Sequence, residues 1–185
     1  NSNKSKLAFS KPPPSGNVYY ELIKKYFISL ETVVIKKSFV ESLETAFDPK
    51  YNYICDMDLL IRLSRICNLS YDHKPLSRWR YHNKSLTFKE PINFITEKKI
   101  FLKNLDIVNH LEDTRYIKAR NKYLENLIIS DFINKLLINK KIKYFKLISD
   151  YKFFNLKILI IFLVSILPFG KKFLLYVRNR IGMII

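Results

Sequence analysis

Residues 46–63 read Ala-Phe-Asp-Pro-Lys-Tyr-Asn-Tyr-Ile-Cys-Asp-Met-Asp-Leu-Leu-Ile-Arg-Leu. Pro49 restricts Asp48 to extended conformations, so Ala46–Pro49 reads as a loop. From Met57 to Cys67 the spacing predicts a helix, with Leu60, Leu63 and Cys67 on one stripe, Arg62 and Arg65 largely off it, and Asn68 as a left-handed stop. Asp56 stands at the mouth of that helix and Asp58 in its first turn. Both suit a helix N-terminus, where a side-chain oxygen caps free N–H groups and negative charge meets the positive end of the dipole. A carboxylate fixed in direction at such a mouth, beside a second acid, is also suited to taking a proton.

Outward from this stretch the pattern mixes helix and strand. Upstream, Val18 to Leu30 places Tyr19, Leu22, Ile23, Tyr26 and Phe27 at helical spacing. Thr32-Val-Val-Ile35 is a β-branched run suited to a buried strand, followed by a short helix around Phe39, Val40 and Leu43. Downstream, Leu69–His73 alternates as a half-buried strand, and Ser77–His82 carries aromatics at alternate positions. Residues 1–16, with three successive prolines, form a loop or linker. Beyond Pro91, Lys, Asn, Leu and Ile recur without strand punctuation, so 93–150 read as two or three amphipathic helices. Ile158–Phe169 is apolar all round but about a dozen residues long, short of the ~20 that span a bilayer. The fold class expected is α/β, followed by a helical extension.

Composition narrows function less than fold. The chain has 185 residues, 48% hydrophobic and 26% charged, with 33 Lys and Arg against 16 Asp and Glu and a formal net charge of +17. That balance favours acidic partners such as nucleic acid, anionic lipid or phosphate-bearing substrates. Three glycines, Gly16, Gly170 and Gly182, leave no glycine-rich phosphate loop. Two cysteines, Cys55 and Cys67, exclude a disulfide-dense scaffold and suggest neither a zinc site nor an oxidising compartment. The chain starts at Asn1 without a signal-like leader, which suggests a piece of something longer in a cytoplasmic setting.

Taken jointly, Thr32–Val40, Ala46–Pro49, Cys55–Leu63, Lys74–Leu76 and Arg78–Thr87 resemble the acceptor-side half of a family-2 glycosyltransferase of GT-A fold. The likeness covers roughly residues 17–90 and rests on the joint occurrence of these motifs. It implies a partial GT-A, Rossmann-like domain at 17–90, while the residue pattern itself gives a helical extension at 91–185 and, from its apolar run with flanking cations, membrane association within 156–180. It further implies an inverting transferase that moves a sugar from a nucleotide-diphosphate donor to a hydroxyl acceptor in surface glycan or polysaccharide synthesis. In that role Asp56 is the general base, Phe47, Asp48 and Asp58 meet the acceptor, His82 is a metal ligand and Arg80 faces the phosphates. The implied cofactor is a divalent metal, Mg or Mn. The implied partners are the nucleotide sugar, a glycan or lipid-linked acceptor, and the inner face of the cytoplasmic membrane.

Two departures stand out. Cys55 occupies the place of the acid that usually precedes the base, and Glu44-Thr45 stands where glycines are common. No Asp-x-Asp precedes Asp56, so the nucleotide-binding half is expected upstream of this chain, which by itself would be inactive. The competing reading is a noncatalytic basic helical protein that binds anionic membrane or nucleic acid. Of those two partners membrane is favoured, because the sequence shows no recognised nucleic-acid module.

Overall fold

The computed structural model describes residues 7, 9, 11–78, 82, 84–109, 112–138 and 156–182. Helices are α1 (Tyr19–Lys24), α2 (Lys37–Glu41), α3 (Cys55–Leu63), α4 (Leu86–Lys89), α5 (Pro91–Val108), α6 (Thr114–Ile138), α7 (Leu156–Ile166) and α8 (Gly170–Gly182), with a 3-10 turn at Leu30–Thr32. Pro91 opens α5, where a missing N–H is harmless. Asp113 closes the start of α6 by accepting the N–H of Arg115 at 2.8 Å and of Tyr116 at 3.3 Å.

The α/β expectation is overturned. Among the described residues there is no sheet, only an antiparallel bridge in which Gly16 and Leu69 exchange bonds of 2.7 and 2.9 Å. Gly16 occupies φ +79, a conformation that glycine adopts without strain. Thr32–Ile35 does not become a buried strand. Thr32 ends the 3-10 turn and Val34 is 97% exposed, while Val33 and Ile35 lean on Leu59, Leu60 and Leu63 of α3. The segment keeps the two-residue alternation of a strand, but among the described residues no second strand lies beside it to share a ladder. Leu69–His73 pairs only through Leu69. Of the alternating run Ser77–His82, Trp79, Arg80 and Tyr81 lie outside the described residues. Helix α1 stops at Lys24 rather than Leu30, because the backbone turns extended at Lys25, and Tyr26, Phe27 and Ile28 pack on the cores from beyond the helix end. Asn68 is not left-handed, since no described residue other than glycine has positive φ. A partial Rossmann-like domain is therefore replaced by a helical assembly, and the expected helices of 93–150 are realised, where described, as α5 and α6.

Helix α6 is the shared wall. Its first half buries Tyr116, Ala119, Tyr123 and Leu127 with α1 (Tyr19, Leu22, Ile23), α3 (Met57, Ile61) and α5 (Ile95, Phe101, Leu102, Leu105). Its second half buries Ile129, Phe132 and Ile133 with Leu174 of α8, and Ile161 and Phe162 of α7 pack alongside. At 25 residues it is about 37 Å long, so the two cores sit at opposite ends of one rod.

Polar ties join the helices where packing alone would let them slide. Asp106 of α5 accepts Arg120 of α6 bidentately at 2.7 and 2.8 Å and also takes the buried Tyr116 hydroxyl. Glu97 of α5 is 8% exposed and accepts the N–H groups of Asn52, Tyr53 and Ile54 at 2.8, 2.7 and 3.1 Å. It thereby fixes the turn that leads into α3. Removing it would strand these donors, at a cost of about 1–3 kcal/mol for each that water cannot reach. Glu97→Ala should therefore lower the unfolding free energy by about 3 kcal/mol, read as a shifted urea midpoint, with Glu97→Gln falling between the two.

Candidate functional site

The site begins with the mouth of α3. Its N-cap is Ile54, and no side chain caps it. Asp56 is thus not a capping residue, although it lies in the first turn, where the dipole favours its charge. The lead-in is instead held by Glu97. Asp56 is half-buried and accepts a long bond, 3.4 Å, from the Tyr26 hydroxyl. Burial, reinforced by the Asp56 charge and this bond, pushes the Tyr26 phenol far above its usual range, so Tyr26 stays a donor.

Beside this acid lies a cation that sequence reasoning missed. Lys98 of α5 is 8% exposed, and burial pushes its ammonium down to about 8, while Asp56 acts the other way and favours the charged form. Nothing in the sequence marks Lys98 out, since it is one of three cations within Glu97-Lys-Lys99 and Lys103.

Asp58 has a different place. It is 5% exposed and accepts Arg62 through Nε at 2.9 Å and Nη2 at 2.7 Å. Arg62 also donates to the carbonyl oxygens of Thr45 and Ala46, each at 2.7 Å. The Asp58–Arg62 pair therefore clamps the loop that presents Phe47 and Asp48 onto the same helix that carries Asp56. Phe47 is 55% exposed, a free aromatic face. The Asp48 carboxylate accepts the Lys50 N–H at 3.0 Å and lies 3.3 Å from its ammonium, which holds it below the ordinary carboxylate range.

Of the remaining expected residues only His82 is described. His82 is exposed on the segment before α4, where its carbonyl accepts the Ser85 N–H and hydroxyl at 3.2 and 2.9 Å. Arg80 lies outside the described residues. Among the described residues no group of three or more His, Cys, Asp or Glu side chains is gathered to hold a metal ion.

Lys98 gives a pH dependence with a definite sign. Its folded value, about 8, lies below the unfolded 10.5, so between them the unfolded chain holds more protons and stability rises with pH. Cys67, raised from 9.0 by burial, and the tyrosines raised from 10.0 work the other way from about pH 9 upward. Unfolding free energy should therefore climb by about 1 kcal/mol from about pH 7 to pH 9. Lys98→Met should be flat over this window and more stable at its lower end, as followed by urea titration at fixed ionic strength.

No protein-family model, curated protein or solved structure matches this chain.

Proposed function

We propose that this chain supplies the acceptor side of an inverting sugar transferase, with Asp56 as its general base. The observation that carries the reading is the division of labour at the mouth of α3. Glu97 fastens the lead-in, and Asp58 with Arg62 fastens the Phe47–Asp48 loop, which leaves the Asp56 carboxylate free of structural duty beyond one long bond. In this role Asp56 accepts the proton of an acceptor hydroxyl as that oxygen forms its bond to the anomeric carbon. The bond from that carbon to the diphosphate oxygen breaks, and the diphosphate departs with the electron pair. Phe47 offers an apolar face to a sugar ring, and Asp48 accepts from ring hydroxyls. The reading concerns a site rather than a fold class, and it assigns the divalent metal and the donor diphosphate to no described residue of this chain.

In the enzyme produced from its complete reading frame, Asp56→Asn should lower turnover with nucleotide-diphosphate sugars by about two to four orders of magnitude, with a drop in the urea midpoint too small to account for that loss. Asp58→Asn should instead lower the midpoint by releasing Arg62. Turnover within about threefold of the parent in Asp56→Asn would remove Asp56 from the role.

A second reading, contact with an anionic membrane surface, is favoured by the α7–α8 hairpin. No helix among the described residues is long and apolar enough to cross a membrane. Yet Ile160, Leu163, Ile166, Leu167 and Phe169 are all 44–58% exposed around its bend, and Lys171 and Lys172 follow on the exposed side. The bend is tight: a Cβ on Gly170 would lie 2.3 Å from the Val164 carbonyl oxygen, so only glycine lets α8 start there. An apolar edge flanked by cations suits the head-group boundary, each Lys contributing ~1 kcal/mol near anionic lipid. Replacing both lysines by Gln should reduce flotation with phosphatidylglycerol vesicles by about 30-fold in affinity, and Leu163→Ser with Phe169→Ser should reduce it further. Unaltered flotation in both variants would exclude the hairpin as the contact.

A further inference from the structure

The geometry points to a phosphate-binding groove between α1 and the first turns of α6, separate from the Asp56 site. A groove of about 620 Å³ is lined by Tyr19, Tyr20, Lys24, Arg65, Arg115 and Lys118. Arg65 follows the C-terminal end of α3, while Asp56 lies in its first turn. About 10 Å of helix therefore separates the two places.

What distinguishes this groove from an ordinary basic surface is the way its guanidiniums are held. Arg65 sits 5.2 Å from the centre of the Tyr19 ring and Arg115 sits 4.7 Å from that of Tyr20. The two rings meet edge to face at 5.2 Å. Each ring is itself anchored through its hydroxyl. Tyr19 donates to Asn109 at the end of α5 at 3.0 Å, and Tyr20 donates to Asp113 at the start of α6 at 2.5 Å. A guanidinium held over a ring keeps N–H groups for a ligand and has less side-chain entropy still to lose on binding, although Arg115 also donates weakly to the Tyr20 hydroxyl at 3.5 Å. Two forks over adjacent rings, with Lys24 and Lys118 on the same wall, form an array that a tetrahedral, multiply charged oxyanion can bridge.

The opposing charges are few. Among the described residues Glu21 is the one carboxylate lining the groove, and Asp113 stands at the rim, 3.8 Å from Arg115 and already taken by Tyr20 and the first N–H groups of α6. Four cations against these two leave a positive surplus. The chemistry recognised is a phosphate or diphosphate group, whether on a soluble metabolite or on a lipid head group. The inference stands independently of the transferase reading, because Asp56 takes no part in it.

The test is calorimetric titration of the whole chain with inorganic pyrophosphate at low and moderate salt, alongside flotation with phosphatidylglycerol vesicles. Arg65→Gln with Arg115→Gln should weaken pyrophosphate at least about tenfold, and Lys24→Gln with Lys118→Gln should do so to a smaller extent. Lys171→Gln with Lys172→Gln removes the same charge at the opposite end of α6, and should leave pyrophosphate binding within about twofold. These side chains lie on the surface, and an unchanged urea midpoint certifies the fold of each variant. If the groove variants lower pyrophosphate affinity alone, the ligand is a soluble phosphate. If they lower vesicle flotation as well, it is a head group. The proposal is overturned if the groove variants alter neither measurement, or if the α8 variant weakens pyrophosphate as much as they do.

Discussion

A carboxylate enclosed by protein, Glu97, governs the position of everything at the mouth of α3. Burying an ionised acid is costly unless its oxygens are satisfied, and here three backbone N–H groups from one turn converge on it at 2.7–3.1 Å. Because these donors come from consecutive residues, Asn52 to Ile54, the bond set specifies the direction in which α3 leaves α5 as well as its distance. The orientation of Asp56 follows from that direction. So does the reach of Arg62 back to Thr45 and Ala46. With no ladder among the described residues, point ties of this kind do the work that strand pairing does elsewhere. Asp106 with Arg120 and Tyr116, and Tyr19 with Asn109, repeat the device between other helices.

Helix α6 explains how the described part of so apolar a chain is held together by helices. It is buried at one end by α1, α3 and α5 and at the other by α7 and α8, on different faces. A helix covered on changing sides has no single apolar stripe, and its sequence shows none. Its polar residues serve as ties, as where Asp131 meets Lys99 at 2.9 Å and Lys135 at 3.4 Å.

The helices were legible wherever one face faced one neighbour. Leu60 and Leu63 predicted α3, and Phe39 and Val40 predicted α2. The strands were not, because β-branched alternation reports a half-buried extended segment and not a partner. Val33 and Ile35 obey the alternation perfectly well while packing on α3 side chains instead of a sheet. The likeness that singled out Asp56 also grouped it with Asp58, and only packing separates the two: one carboxylate is locked to Arg62, the other left half-buried. Glu97 and Lys98 were invisible for a related reason. They lie more than forty residues from the turn they serve, within a helix whose charges all look like solvated face. Neither spacing nor composition encodes which of the adjacent Glu97, Lys98 and Lys99 turns inward.

The net charge of +17 says little until its members are sorted by what they touch. Arg62 and Arg120 are consumed by Asp58 and Asp106, and Lys99, Lys122 and Lys157 meet Asp131 and Glu125. Glu125, between two lysines, is held down to about 2, which shows how fully such local pairing is used. A carboxylate count of 16 cannot neutralise 33 cations, so the surplus must appear somewhere on the surface. Had it been spread evenly, repulsion would be least and no region would be distinguished. Instead, cations gather in the groove beside α1, where two are stacked on anchored tyrosines, and at the apolar bend before α8. Gathering like charges costs free energy in the isolated chain. That cost is recovered when an anion occupies the place, and an anchored ring under each guanidinium keeps the array assembled until it does.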